Sequence, residues 1–309
     1  MMGVSGTVLF VPFYTIVFPL LGHHLEPVQA VEVGLLTEIF GFLSSTSAFW
    51  RAGLIDFEVA GFAALIATPT AVLGGYVSHF LPGNLLLALI GVSLIVFAWL
   101  LIRETIAAVP DGTAKPVESK IKKHQDRIGR TYQYKVLNDR WRAGAAGVGG
   151  VLQGLVGFSA GELSTVEQVL RGVPIRIAAG NSHLIIAAAS ISAAVTHLGV
   201  SAHQGTQVPW NLVAITIPAV LVGGQLAAIL AGRIPQDKLR LVLATFLVFI
   251  GALSAYRASV QAGIHPPGWA LWLILLAVLG VTFWFVRQWS RSINREASPQ
   301  NCASCKPNP

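Results

Sequence analysis

Apolar runs of membrane-spanning length alternate with short polar breaks along this chain. Residues 3–22 are apolar with Pro12 and Pro19 inside, and His23-His24-Leu25-Glu26-Pro27 reads as a loop. Further runs at 28–50, 59–80, 85–102, 177–198, 209–232, 241–257 and 268–286 read as helices. Each has about the 17–25 residues that a bilayer core requires. None shows the period-2 alternation of a barrel strand. Residues 103–142 are polar and basic, and read as a solvated linker, helical in part from Val117 to Leu137. Residues 199–208 read as a polar loop that leaves His197 and His203 solvated.

One stretch breaks the pattern. From Arg142 to His183 an apolar Gly-rich run reaches Phe158 and then turns polar at Ser159, Glu162, Ser164, Thr165, Glu167 and Gln168. It closes on Arg171-Gly-Val-Pro174-Ile-Arg176 and resumes through Asn181, Ser182 and His183. Hydrocarbon tolerates such groups only where they line a cavity or a protein interior. The stretch therefore predicts a broken, re-entrant element. Gly157 and Gly161 let the backbone leave helical angles, and Ser159-x-x-Glu162 matches a capping box that starts a half-helix. The leading amides of such a half-helix are bare and partly positive, which suits a small oxyanion.

The chain also repeats itself. Pro69-x4-Gly74-Gly75 matches Pro218-x4-Gly223-Gly224, Gly3-Val-Ser5 matches Gly157-Phe-Ser159, and Pro27 matches Pro174. If residues 142–174 enter and leave on one side, all 21 Lys and Arg residues except Arg257 fall on that side. If the stretch spans, only roughly half do. The positive-inside rule selects the hairpin, and with it two halves of opposite orientation, a signature of secondary transporters. The fold expected is all-α, a polytopic membrane protein with an inverted repeat of broken helix plus transmembrane helices. The units are a first repeat over 1–102, a basic cytoplasmic linker over 103–142, a second repeat over 143–257, a final span over 258–286 and a polar tail over 287–309.

Composition agrees. The chain is 54% hydrophobic and 11% charged, against about 25% charged in soluble domains. The net charge of +7 lies in loops beside anionic lipid, which argues against nucleic acid. Cys302 and Cys305 sit in the polar tail. Trp50, Trp210, Trp269 and Trp289 fall near helix ends as interface anchors. No Walker loop and no catalytic triad is present, so an enzyme or ATP-driven pump is not expected, nor is a cofactor or metal.

The substrate-binding candidates are Gly3, Ser5, Gly6, Thr7, Gly157, Ser159, Gly161, Ser164, Thr165, Asn181, Ser182 and His183. Glu162, Glu167 and Glu38 are the candidates for proton coupling, and Glu32 is a further carboxylate in an apolar run. Arg171 and Arg176 read as cytoplasmic anchors.

These motifs, with Gly3-Val-Ser-Gly6-Thr-Val-Leu-Phe-Val-Pro12, Arg51-Ala-Gly-Leu-Ile-Asp56, Gly147-Val-Gly-Gly-Val-Leu-Gln-Gly-Leu-Val-Gly157 and Pro174-Ile-Arg-Ile-Ala-Ala-Gly-Asn-Ser-His183, resemble the TauE/SafE sulfite exporter family over about residues 1–257. The resemblance implies a multi-pass inner-membrane permease for sulfite, sulfonates or related organosulfur anions. Measured against that family the chain begins inside the first helix. Its second repeat carries Glu162, Ser164, Thr165, Glu167 and Gln168 where the family has a Pro, which opens proton coupling or a different anion. The expected partners are a small anion and the lipid bilayer, and a homodimer is admitted. A passive anion channel and a non-transporting membrane subunit are the rival readings.

Overall fold

In the computed structural model the described residues are 6–20, 22, 25–107, 121–136, 139–231 and 236–264, with isolated positions at 267, 269, 276 and 280. Gly3, Ser5, most of the final span over 258–286 and the Cys302–Cys305 tail lie outside them. The described chain is mostly helical.

The chain opens with α1 (Thr7–Pro12), a π-helical turn (Phe13–Val17) and α2 (Phe18–Leu20). Pro12 has no amide to donate, so the ladder widens there. The Thr15 hydroxyl donates to the Val11 carbonyl at 2.8 Å within that turn. Next come α3 (Pro27–Arg51), α4 (Phe57–Ser78) and α5 (Gly83–Ala107). Glu26 and Gln29 form a reciprocal capping box at the start of α3, with Pro27 in the first helical position. Asp56 caps α4 by accepting from the Glu58 and Val59 amides. The second half holds α6 (Arg140–Val156), α7 (Ala160–Leu170), α8 (Ile175–Gln204), α9 (Trp210–Ala231) and α10 (Gln236–Gln261). Helices α3, α4 and α8 are long and apolar enough to cross a membrane. Leu65, Leu73 and Tyr76 on α4 are exposed, the surface that lipid would cover.

Helix α8 runs six residues beyond the expected end at 198 and stops where Gly205 turns left-handed, with φ 69°. The polar residues Ser201, His203 and Gln204 did not end it, because nothing before Gly205 breaks the helix.

Packing rests on small residues. A side chain at Gly150 or Gly154 of α6 would strike the Ala67 or Ala71 carbonyl of α4. Helices α5 and α10 cross where Gly91 meets Gly251. Such close backbone contact is how apolar helices associate without a hydrophobic drive in lipid.

Two ends of the bundle differ. At one end lie Arg51, the α3–α4 loop, Asp139 and the α7–α8 loop; we term this the basic face. At the opposite end, Gln29 donates to the Gln207 carbonyl at 3.0 Å. There Glu26, Pro27, Gly83, Asn84 and Gln261 border a crevice of about 540 Å³.

The basic linker is not helical where it is described. Residues Ile121–Gln125 (β1) and Thr131–Lys135 (β2) form an antiparallel hairpin, with Ile121 opposite Lys135. The reason is local. Asp126 accepts from the Ile128 and Arg130 amides, Gly129 supplies the left-handed turn residue, and Tyr132 and Tyr134 share one face. That face packs on Val173, Ile177 and Ala178. The hairpin also straps the α3–α4 loop: Lys122 binds Asp56 at 2.6 Å and Glu58 at 2.8 Å, Tyr134 donates to Asp56 at 2.6 Å, and His124 lies 2.8 Å from the Gly53 carbonyl. Burial pushes the Asp56 carboxyl up, but Lys122, Tyr134 and the Val59 amide outweigh it and hold it below its ordinary value. Burial pushes Lys122 down, and Asp56 and Glu58 outweigh that and hold it above its own.

Asp56 therefore stabilises docking at all pH above its ordinary range and loses that contribution only on acidification below about pH 4. Lys122 contributes below its ordinary range and loses its share only above about pH 10. Hydrogen exchange of residues 121–135, corrected for intrinsic rates, should show constant protection from about pH 5 to about pH 9. Asp56→Asn should lower that protection by about tenfold, the loss of one charge-assisted bond. Unchanged protection in the variant would show that the ion pair does not hold the strap.

Candidate functional site

The broken element is built by two residues. Gly157 takes a left-handed conformation, φ 75°, and ends α6. The Gly157 amide donates to the Gln153 carbonyl at 3.0 Å, the bond of an αL cap, and the Phe158 amide reaches the Leu152 carbonyl at 3.3 Å. Ser159 is extended and caps α7, its hydroxyl accepting from the Gly161 amide at 3.2 Å. The two limbs run antiparallel. Asp139 at the start of α6 pairs with Arg171 at the end of α7 at 2.7 Å, and Arg142 pairs with Glu167 at 3.2 Å. The chain thus enters and leaves at the basic face, and the tip 157–159 lies inside the protein.

The first amides of α7 are not bare, contrary to the expectation from sequence. Gln153 is fully buried, and its Oε1 accepts from the Ala160 amide at 2.9 Å. Its Nε2 donates to the Ser190 hydroxyl at 2.6 Å and to the Ile186 carbonyl at 3.3 Å. The Glu162 amide reaches the Ser159 carbonyl at 3.3 Å. A side-chain amide can satisfy both a donor and an acceptor, so Gln153 ties the break to α8. Sequence reasoning passed over it. The available signal was a lone amide inside Gly147–Gly157, an otherwise apolar run.

At the tip the first half meets the second. The Thr7 hydroxyl donates to the Glu38 carboxylate on α3. The Thr7 methyl fills the places that side chains at Gly157 and Gly34 would need. Phe158 rests edge-on against Phe97, centroids 5.3 Å apart. A cavity beside Thr7, Val11, Pro12, Ser93, Val156 and Phe158 offers about 10 Å³, room for one water at most. Thr7, Glu38, Gly157 and Ser159 thus gather around a closed tip, with Gly6 one residue before Thr7.

The other candidates lie elsewhere. Gly161 packs against Ser182 and Ile186 of α8, and Thr165 donates to the Gly161 carbonyl at 2.8 Å. The Ser182 hydroxyl bonds the Ala179 carbonyl within its own helix. His183 Nδ1 donates to the same carbonyl at 2.6 Å, and its ring lies between Phe42 and Phe49. Asn181 accepts from the Asp56 amide at 2.7 Å and donates to Gln168 at 2.8 Å. Ser164 and Glu162 are buried on α7. Glu167 is an ion-pair member between Arg142 and Arg171 at the hairpin mouth, not a carboxylate facing the tip, because Arg171 follows it by one helical turn. Arg171 holds the exposed Asp139 carboxyl down at about 2. Arg176 is exposed at the basic face.

Histidine 197 is buried, not solvated. Its Nε2 donates to the Gly154 carbonyl at 2.8 Å, and its Nδ1 meets His79 at 3.0 Å. The unexpected length of α8 places it inside the bundle. Glu32 is also fully buried, with the Ser201 hydroxyl 3.5 Å from its carboxylate.

A bundle of apolar helices with a polar break folded into its interior has the build of a membrane protein with a buried polar site. A family model described as sulfite exporter TauE/SafE matches residues 1–254. The chain belongs to the TauE/SafE family. One curated relative of this TauE/SafE chain is a probable membrane transporter protein, YunE, from Bacillus subtilis (strain 168). It is 26% identical over 261 residues, spanning 83% of this chain and 92% of the relative. No solved structure matches. The TauE/SafE chain is thus a membrane transporter.

Two substitutions test the tip. Gln153→Leu leaves the Ala160 amide and the Ser190 hydroxyl without their partner, a loss of about 2 kcal/mol. Gly157→Ala combines a left-handed backbone with a clash against Thr7 and should cost at least about 1–2 kcal/mol. Thermal unfolding of the detergent-purified chain should show a lower midpoint for each. A wild-type midpoint in Gly157→Ala would contradict the tight packing of Thr7 on the tip.

Proposed function

We propose that this chain is a secondary transporter of a small oxyanion, sulfite or a sulfonate, in the cell's inner membrane. The observation that carries the reading is the buried tip, where polar groups of both halves converge on a backbone break. Its hydrogen bonds to Gln153 and Ser159 are exchangeable: amide donors now held by side chains can turn to an oxyanion when the tip opens. With room for one water, the tip corresponds to a closed state, and carriage requires opening to each face in turn.

An inverted repeat is supported by the way the helices pair. Helices α3, α4 and α5 correspond to α8, α9 and α10 and run in the opposite sense. Gly91 and Ala98 follow Pro82 by the same intervals at which Ala244 and Gly251 follow Pro235. Gly91 meets Gly251, while Ala98 and Ala244 are both buried. A two-fold axis between α5 and α10 accounts for all four small residues. Among the described residues Arg257 stands apart as the Lys or Arg near the far end, which supports a cytoplasmic basic face.

Glu38 is the favoured proton-coupling group. It is buried, and its carboxylate accepts the hydroxyl of Thr7, the residue pressed onto the tip. Loading a proton there changes a bond that holds the tip shut. Glu162, three residues past Ser159, is the second carboxylate near the break.

Proteoliposomes with labelled sulfite test this reading. Uptake should saturate and respond to an imposed pH gradient, and Glu38→Gln should remove the gradient response. Flux that rises without saturation would replace the carrier by a channel, and an unaltered response in Glu38→Gln would remove Glu38 from coupling.

A further inference from the structure

Helix α7 carries two buried side-chain donors that the closed structure leaves without hydrogen-bond partners among the described residues: the Ser164 hydroxyl and the Gln168 Nε2. Ser164 is 2% exposed and Gln168 1%. They stand one helical turn apart on one face, between the tip and the basic mouth.

The orientation of Gln168 follows from a chain of bonds with a fixed end. The Asp56 backbone amide can only donate, and it donates to Asn181 Oδ1 at 2.7 Å. Asn181 must therefore present Nδ2 on its other side, and this donates to Gln168 Oε1 at 2.8 Å. Gln168 is left with Nε2 facing the interior, able to donate and not to accept. Buried donors are almost always satisfied, and two unsatisfied ones on the same face are destabilising unless an acceptor arrives. The buried Glu162, two residues before Ser164, falls on another face of α7 by helical spacing. At the nearby mouth Arg142 and Arg171 balance Glu167 and Asp139.

We propose that Ser164 Oγ and Gln168 Nε2 form a second oxyanion station, on the path between the tip and the basic face. It rests on the anion-transport reading and deepens it. The guest is an anion with at least two acceptor oxygens, such as sulfite or a sulfonate, bridging the two donors once α7 parts from its neighbours. The Asp56–Asn181–Gln168 relay sets the station's polarity, and the same Asp56 is gripped by Lys122 of the β1–β2 strap. The strap and the station are therefore mechanically joined.

The test is anion-dependent thermal stabilisation of the purified full chain, with sodium sulfite against sodium chloride at equal ionic strength. Each protein is compared with its own chloride midpoint, so lowered stability of a variant does not confuse the result. Sulfite should raise the wild-type midpoint. Gln168→Glu keeps an acceptor for Asn181 but places a carboxylate where the donor was, and should abolish the shift. Ser164→Ala should need about tenfold more sulfite for the same shift, and it carries the test if Gln168→Glu fails to fold. Equal shifts in all three proteins would overturn the station, as would a wild type that neither sulfite nor methanesulfonate stabilises. Flux in proteoliposomes separates the two readings. A shift that depends on Gln168 without any flux would sink transport and leave the station standing. Flux and shifts that both survive the substitutions would sink the station and leave transport standing.

Discussion

A helix can break inside a bilayer only where the freed backbone groups find partners within the protein. Here that condition falls on Gln153. Its side chain accepts from the first amide of α7 and donates to α8, so one residue closes the gap left by Gly157 and anchors the tip to the next helix. The Gly-rich character of α6 follows from this position. Gly150 and Gly154 let α6 lie against α4, and Gly149 lets α7 fold back on α6 beside Ala160. Larger residues would move the tip away from Thr7 and Gln153 together.

The same hairpin joins the interior to the basic face. From the β1–β2 strap, contacts run through Lys122 and Tyr134 to Asp56, then by the Asp56 amide to Asn181 and Gln168 on α7. Soluble and membrane-embedded parts thus share one polar relay. Its members come from the α3–α4 loop, the linker, α7 and α8, so it spans both halves of the chain. In the alternating-access reading proposed above, this relay is the bond set that holds the basic face closed.

Sequence pattern revealed the elements whose signals are local. The Gly157–Ser159 break sits in the few residues that determine it, whereas Glu26 and Pro27, read as a loop, and Asp56 proved to start α3 and cap α4. Thr7 and Glu38 were separate candidates, 31 positions apart, and only the fold unites them. What escaped had long-range causes. Lysines and arginines masked the alternation of Tyr132 and Tyr134, which becomes a buried face only because Val173 and Ile177 lie beneath it. His197 looked terminal because α8 was drawn too short. Gln153 was hidden among glycines, and its role depends on a turn seven residues later. Bare amides at the start of α7 were a fair deduction from helix chemistry, yet tertiary contacts had already claimed them.

The central claim is that the chain dips in and returns on one side with its tip inside. Single cysteines at positions 139 and 172, in a chain with Cys302 and Cys305 changed to serine, test this most directly when labelled in oriented vesicles by a membrane-impermeant thiol reagent. The account predicts that both positions react from the cytoplasmic side. Labelling of the two from opposite sides would make α6 and α7 a membrane crossing and contradict it.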